Sequence, residues 1–223
     1  MREPRPSFRQ LVGIPLNVLL FCLIQVLVWK DPRGFFSHPV RATMIALLLL
    51  SVPVMTLCTG GRSRGVASRP DHRAFFPLLV FHSLFTAMVM PVMDKNDVWT
   101  LPGGDVTRWI GLAFFTAGVA LRIGPMLALG RRFASVVALQ EGHRLETGGL
   151  YGVVRHPSYL GIFLMDVGFA GIYRSILAVA LLPVVFWMFR QRMDLEERFL
   201  IEQFGDEYRS YQSRVPRLLP GVW

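Results

Sequence analysis

The chain has 223 residues, of which 52% are hydrophobic and only 17% charged, with a formal net charge of +9; ordinary soluble domains carry about a quarter charged residues. The shortage is concentrated in residues 10–29, 42–61 and 74–93, three runs without one Asp, Glu, Lys or Arg, each long enough to cross a hydrocarbon core of about 30 Å. A soluble domain and a disordered chain are excluded, and two cysteines inside apolar runs, Cys22 and Cys58, exclude a disulfide framework.

In chain order, hydropathy predicts membrane helices at about 11–29, 42–60, 75–93 and 109–129. The first has no small-residue cleavage pattern after it and is expected to be retained rather than removed as a signal peptide. Two shorter segments follow at about 159–173 and 175–189. They read as a helical hairpin that enters and leaves by one face, with Gly161, Gly168 and Gly171 allowing close backbone approach within it. Residues 190–212 are highly charged but keep Met193, Leu200, Phe204, Tyr208 and Tyr211 at helical spacings. That pattern predicts an amphipathic helix along the membrane interface. The expected architecture is all-α and integral to the membrane: N-terminal helices over 1–129, then a region different in kind over 130–223, with a polar, Gly-rich loop, the hairpin and the amphipathic helix.

Loop charge sets the expected orientation. Residues 1–10, 59–74, 130–158 and 190–223 hold 17 Lys and Arg together, against 6 in the alternate loops. Both termini are therefore expected in the cytoplasm. The positive charge is a topology signal, and nucleic-acid binding is not expected. Twenty-two Arg against 2 Lys favour a bacterial cytoplasmic membrane.

The hairpin returns the chain to the face it left, so 142–159 and 190–200 are predicted to be neighbours. They supply His143, Tyr151, Arg155, His156, Tyr159, Arg192, Glu196 and Glu197. Arg192 and Glu196 share one helix face; the plain alternative to a functional pair is a weak i, i+4 ion pair. His156 before Pro157 marks a loop-to-helix junction, whose free N–H groups favour an anion. The plain alternative there is a cationic anchor at the headgroups. Arg122 and Asp166 lie within the membrane and are expected to pair with each other, while lining the acceptor pocket is the functional alternative. His82 reads as a hydrogen-bonded packing residue. No metal site is indicated.

The segments HRLETGGLYGVVRHPSYLG (143–161) and FRQRMDLEERFLIEQFGDEYRSYQSRVPRLLP (189–220), either side of a glycine-bearing hairpin, resemble the isoprenylcysteine carboxyl methyltransferase family. The resemblance covers about the last third of the chain and implies an integral membrane enzyme that uses S-adenosylmethionine. It implies cofactor contacts at His143, Arg144, Leu145 and Glu146, then at Tyr151, His156, Pro157, Ser158 and Tyr159. The Arg of the family's R-x-x-x-E, which orients the acceptor, falls on Arg192; its acid, a cofactor contact, falls on Glu196, with Glu197 beside it. Ala134-Ser135-Val136-Val137 departs from the family's Asn-His-Val-Val-like stretch, and the cofactor's far end is placed near Gln140. The implied acceptor is a prenylated cysteine carboxylate or another amphiphile drawn from the membrane lipid. Three rivals stay open: phospholipid N-methylation, an NADPH-dependent sterol-reductase-like activity, and a silent membrane scaffold.

Overall fold

In a computed structural model, residues 8–59, 75–129 and 145–219 are described. The calls at Gln140, His143 and Arg144 lie outside these residues. Eight α-helices occur among them: α1 Phe8–Trp29, α2 Pro32–Ser37, α3 Pro39–Thr59, α4 Phe75–Lys95, α5 Gly104–Leu129, α6 Pro157–Ile172, α7 Ile176–Phe204 and α8 Asp206–Arg214. Four of them (α3, α4, α5 and α7) are long and apolar enough to cross a membrane, with shorter apolar stretches at Pro15–Trp29 and Pro157–Ile172. Pro15, Pro53, Pro91, Pro125 and Pro183 sit inside α1, α3, α4, α5 and α7. Membrane helices tolerate such breaks because neighbouring helices satisfy the freed backbone groups.

The pivot of the bundle is the α5–α6 contact. Gly111 and Gly118 on α5, and Gly161 and Gly168 on α6, recur at seven-residue spacing and so keep to one face. A Cβ on Gly118 would sit 2.6 Å from the Gly161 carbonyl oxygen and 2.6 Å from the Met165 nitrogen. The glycines thus serve α5 against α6; the expectation that they pack the hairpin onto itself is corrected. Small residues let two backbones touch where the solvent is as apolar as the side chains. A core of Cys22, Trp29, Phe35, Met44, Leu112, Phe115, Phe169 and Tyr173 fills the space between α1, α3, α5 and α6.

One end of the bundle, where α6 turns into α7, is clamped electrostatically. The fully buried Asp94 carboxylate accepts two bonds from Arg108, at 2.6 and 2.8 Å, and one from Arg174 at 3.3 Å. Arg108 also donates to the Ile172 carbonyl at 2.8 Å. Arg174, at positive φ in the α6–α7 turn, reaches Asp97 as well, at 2.8 Å. Ionised groups this deep require mutual pairing, and here the pairing ties α4, α5 and the hairpin turn together.

The turn falls at Tyr173–Ser175, within a residue of its expected place, and the Ser175 hydroxyl caps α7 by accepting from the Ala178 nitrogen. One boundary differs from expectation: α7 does not stop at residue 189 but runs unbroken to Phe204, about 44 Å at 1.5 Å per residue. Residues 190–204 therefore prolong a membrane helix beyond its apolar part. Gly205, at φ 55°, ends it. The separate C-terminal helix is only α8, whose Tyr208 and Tyr211 are buried.

Candidate active site

At the N-terminus of α6, the junction forms as the sequence predicts. Pro157 opens the helix and His156 precedes it without a side-chain cap bond. Because α6 and α7 are joined by a tight turn, the start of α6 faces the charged part of α7. The Tyr159 hydroxyl sits between the two: it donates to Glu196 Oε2 at 2.9 Å and accepts from Arg192 Nε at 3.2 Å. Arg192 and Glu196 thus meet through Tyr159. The Arg192 guanidinium lies 5.4 Å from the Phe75 ring centroid, which brings α4 to the same place.

Arg122 comes to this site from α5. It does not pair with Asp166, and that expectation is corrected: its Nη1 donates to the Ser158 hydroxyl, while Asp166 Oδ1 lies 3.3 Å from His82 Nε2. The α5–α6 glycine contact puts Arg122 beside the first turn of α6, whereas Asp166 projects from the opposite face of α6, toward α4. Tyr159, Tyr151 and Glu196 all lie within electrostatic reach of Arg122. Among the described residues, no carboxylate is within ion-pair distance of it.

A second network lies beside the first. Glu197 Oε1 accepts from His156 Nε2 at 2.9 Å and from Arg217 Nε at 3.1 Å. Glu197 Oε2 accepts from Gln212 Nε2 at 3.0 Å and from Arg217 Nη2 at 2.5 Å. Arg155 Nη2 is 3.5 Å from Glu197 Oε1, and Arg217 also pairs with Asp194 at 2.7 Å. These charged residues of α7 stand beyond its apolar stretch. Burial alone would raise the Glu197 carboxyl, but the hydrogen bonds from His156 and Arg217 and the charges of His156 and Arg155 hold it at about 2.

The C-terminal tail then straps the loop. Backbone bonds run from the Arg155 nitrogen to the Pro216 carbonyl at 2.9 Å and from the His156 nitrogen to the Arg217 carbonyl at 3.1 Å. Tyr211 donates its hydroxyl to the Tyr151 carbonyl at 2.6 Å. Tyr151 is half-buried, and burial pushes its phenol above the ordinary range. Leu145 and Glu146 are half-buried, and a Glu146 oxygen accepts from the Gly148 nitrogen at 3.2 Å.

The structure therefore gathers Tyr159, Ser158, Arg192 and Glu196 at one centre, with His156, Pro157 and Glu197 adjoining. Sequence reasoning assigned no place there to Arg217, Gln212 or Tyr211, although the FGDEYRSYQSRVP segment that contains or adjoins them was conspicuous. It also misjudged the partner of Arg122, because a helix register alone does not say which neighbour a side chain meets.

Membrane-crossing helices with one polar centre shared by α5, α6 and α7 define a multi-pass membrane protein with a site at one end of its bundle. Residues 109–202 match the model of the isoprenylcysteine carboxyl methyltransferase (ICMT) family. A protein-S-isoprenylcysteine O-methyltransferase B from Arabidopsis thaliana is 33% identical over 152 residues, covering 65% of this chain and 77% of that protein. The Schizosaccharomyces pombe protein-S-isoprenylcysteine O-methyltransferase is 37% identical over 112 residues, covering 49% of this chain. That match spans 48% of the yeast protein's length. A solved structure of the eukaryotic intramembrane Ras methyltransferase ICMT aligns over 96% of each chain, at 21% identity and a TM-score of 0.48. The chain belongs to the isoprenylcysteine carboxyl methyltransferase family.

Proposed function

We propose that this protein transfers a methyl group from S-adenosylmethionine to the carboxylate of an isoprenylcysteine-like amphiphile at the cytoplasmic face of the membrane. The observation that carries the reading is the Tyr159 hydroxyl held between Glu196 and Arg192, with Arg122 one helix away. Glu196 and the Arg192 guanidinium meet there across a hydrogen-bonded phenol, and the Arg122 guanidinium is bonded to the neighbouring Ser158. Family membership supports the reaction class.

The residues fit the cofactor's chemistry. Its ammonium and ribose hydroxyls need an acceptor, which Glu196 supplies. Its carboxylate suits the α6 N-terminus, which carries no side-chain cap. Tyr151 and Tyr159 offer aromatic faces, and Leu145 and Glu146 begin the adjoining loop. When bound, the sulfonium supplies the electrophilic methyl group. Glu197 has both oxygens engaged by protein donors, so it holds the loop rather than the ligand.

The remaining work falls to the chain. Arg192 orients the acceptor oxygens as a planar fork, and Arg122, which has no acidic partner among the described residues, adds a second positive charge. Tyr159 fixes Arg192 and Glu196 relative to each other. A carboxylate with a pKa near 4 is already ionised at neutral pH, so no general base is required. Opposite charges on acceptor and donor diminish together in the transition state, and positioning with partial dehydration supplies most of the acceleration. The excess of loop charge supports cytoplasmic termini, and the Arg-dominated composition supports a bacterial membrane.

The test is methyl transfer from labelled S-adenosylmethionine to a prenylcysteine analogue and to phosphatidylethanolamine, in separate reactions. The expected result is label in the carboxyl ester, with a rate nearly flat from pH 6 to 9. Glu196→Ala is expected to weaken cofactor binding roughly tenfold or more, the loss of a charged hydrogen-bond partner. Arg192→Ala is expected to spare cofactor affinity while abolishing turnover. Label only in the lipid amine, with a rate rising with pH, would instead assign the N-methyltransferase reaction.

A further inference from the structure

Away from the reacting centre, the bundle carries a groove between α1 and α4. Leu27 and Val28 on one side, with Phe81, Leu84, Phe85 and Met88 on the other, line about 450 Å³ of open space. Sites that hold small amphiphiles run from about 300 to 1,000 Å³. The Phe81 and Phe85 rings stack along one wall, with centroids 6.1 Å apart and planes 21° apart. Leu27, Phe81 and Met88 are each more than half exposed, so the groove opens toward lipid. It is not a path for the methyl acceptor. Phe81, Leu84, Phe85 and Met88 lie on the face of α4 roughly opposite Phe75, Leu79 and His82, and only the latter face meets Arg192 and Asp166.

The groove ends at the chain's only two lysines, Lys30 and Lys95, which stand among 24 basic residues. Lys95 lies seven residues beyond Met88, two turns along the same face of α4. Its ammonium donates to the Trp29 carbonyl and lies 5.9 Å from the Trp29 ring centroid, which fixes it over the end of α1. Lys30 is held one turn above Leu27, with its backbone nitrogen donating to the Leu27 carbonyl at 3.1 Å. Both lysines are exposed, and among the described residues neither has a carboxylate within ion-pair distance. The neighbouring acids are otherwise engaged: Asp94 by Arg108 and Arg174, Asp97 by Arg174. Exposed Asp31 is offset by exposed Arg33.

We infer that this groove holds an anionic phospholipid, with an acyl chain along Phe81, Phe85 and Met88 and the phosphate at the Lys30 and Lys95 ammonium groups. Phe81 to Met88 spans about 10 Å of helix, within the roughly 15 Å of hydrocarbon in a single leaflet. Lys95 then stands at headgroup level, about 30 Å along α4 from Phe75, in the leaflet opposite the reacting centre. An ammonium on a flexible stem suits phosphate as a point charge. Each lysine near an anionic headgroup adds about fivefold in affinity. A zwitterionic lipid gains less, because its own ammonium opposes the pair. The bound lipid bridges α1 and α4, and so stabilises the bundle by binding only its folded form.

The experiment takes the full chain from nanodiscs of equimolar phosphatidylcholine and phosphatidylglycerol into native mass spectrometry. The expected result is one retained phospholipid, with phosphatidylglycerol favoured about twentyfold. The Lys30→Gln/Lys95→Gln variant should lose that preference, while Lys30→Arg/Lys95→Arg, which keeps both charges, should hold it. Met88→Trp, which fills the groove, should reduce retention of both lipids. Phosphatidylglycerol should raise the Tm of the parent but not of the Gln variant, and the two should melt alike in phosphatidylcholine alone. Equal retention of the two lipids by the parent overturns the inference. So does a preference that survives in the Gln variant or disappears from the Arg variant. Retention unchanged in Met88→Trp removes the groove from the reading. None of these readouts depends on which acceptor is methylated.

Discussion

Glu197 is the acid on which the loop, α7 and the C-terminal tail converge, and replacing it with Gln removes the charge while keeping the shape. Arg217, His156 and Arg155 would then face a neutral amide whose NH2 group must point at one of their donors. Breaking one side of a buried ion pair costs about 3–5 kcal/mol. For a chain of this size each kcal/mol moves Tm by about 2–4 °C, so the variant should melt roughly 6–20 °C lower. The pH dependence gives the sharper test. Glu197 is held at about 2 in the folded protein against an ordinary 4.5, so its contribution is fully present above the ordinary value. It is lost as pH falls from 4.5 toward 2. The Tm gap between parent and Glu197→Gln should therefore be constant above about pH 5 and shrink steadily below it. Thermal unfolding in nanodiscs, followed by tryptophan fluorescence from pH 3 to 8, measures this directly. A gap unchanged down to pH 3, or no gap at neutral pH, would refute the hub assignment.

Gly118→Ala places a Cβ 2.6 Å from two backbone atoms of α6. It should destabilise the protein by about 1–3 kcal/mol and lower turnover by moving Arg122 away from Ser158; unchanged melting and unchanged turnover would argue against the close α5–α6 contact. Reporter fusions at residue 1 and residue 223 should both give cytoplasmic signals, and an external C-terminus would place the site on the wrong side of the membrane for its cofactor.

Much of the architecture was written into the order of residues. Charge-free runs announce membrane helices because hydrocarbon leaves the backbone no partner outside a helix, and α1, α3 and α4 fall close to where those runs lie. Arg-His-Pro marks the start of α6 because proline restricts both itself and its predecessor. The convergence of Tyr159 with Arg192 and Glu196 followed from the shortness of the turn between two helices. Pairings between distant elements were not legible. Arg122 meets Ser158 rather than Asp166 because Gly118 and Gly161 set how α5 lies on α6, and that packing turns Asp166 toward α4 and His82. The run of charge after residue 189 looked like a separate helix, since composition marks where hydrocarbon ends but not where hydrogen bonding does. α7 continues until Gly205 because its backbone ladder is indifferent to the solvent around it. Glu196 and Glu197 are neighbours in sequence but point about 100° apart on α7. Only the folded tail, bringing Gln212 and Arg217 back across the loop, gives Glu197 its partners, while Glu196 meets Tyr159.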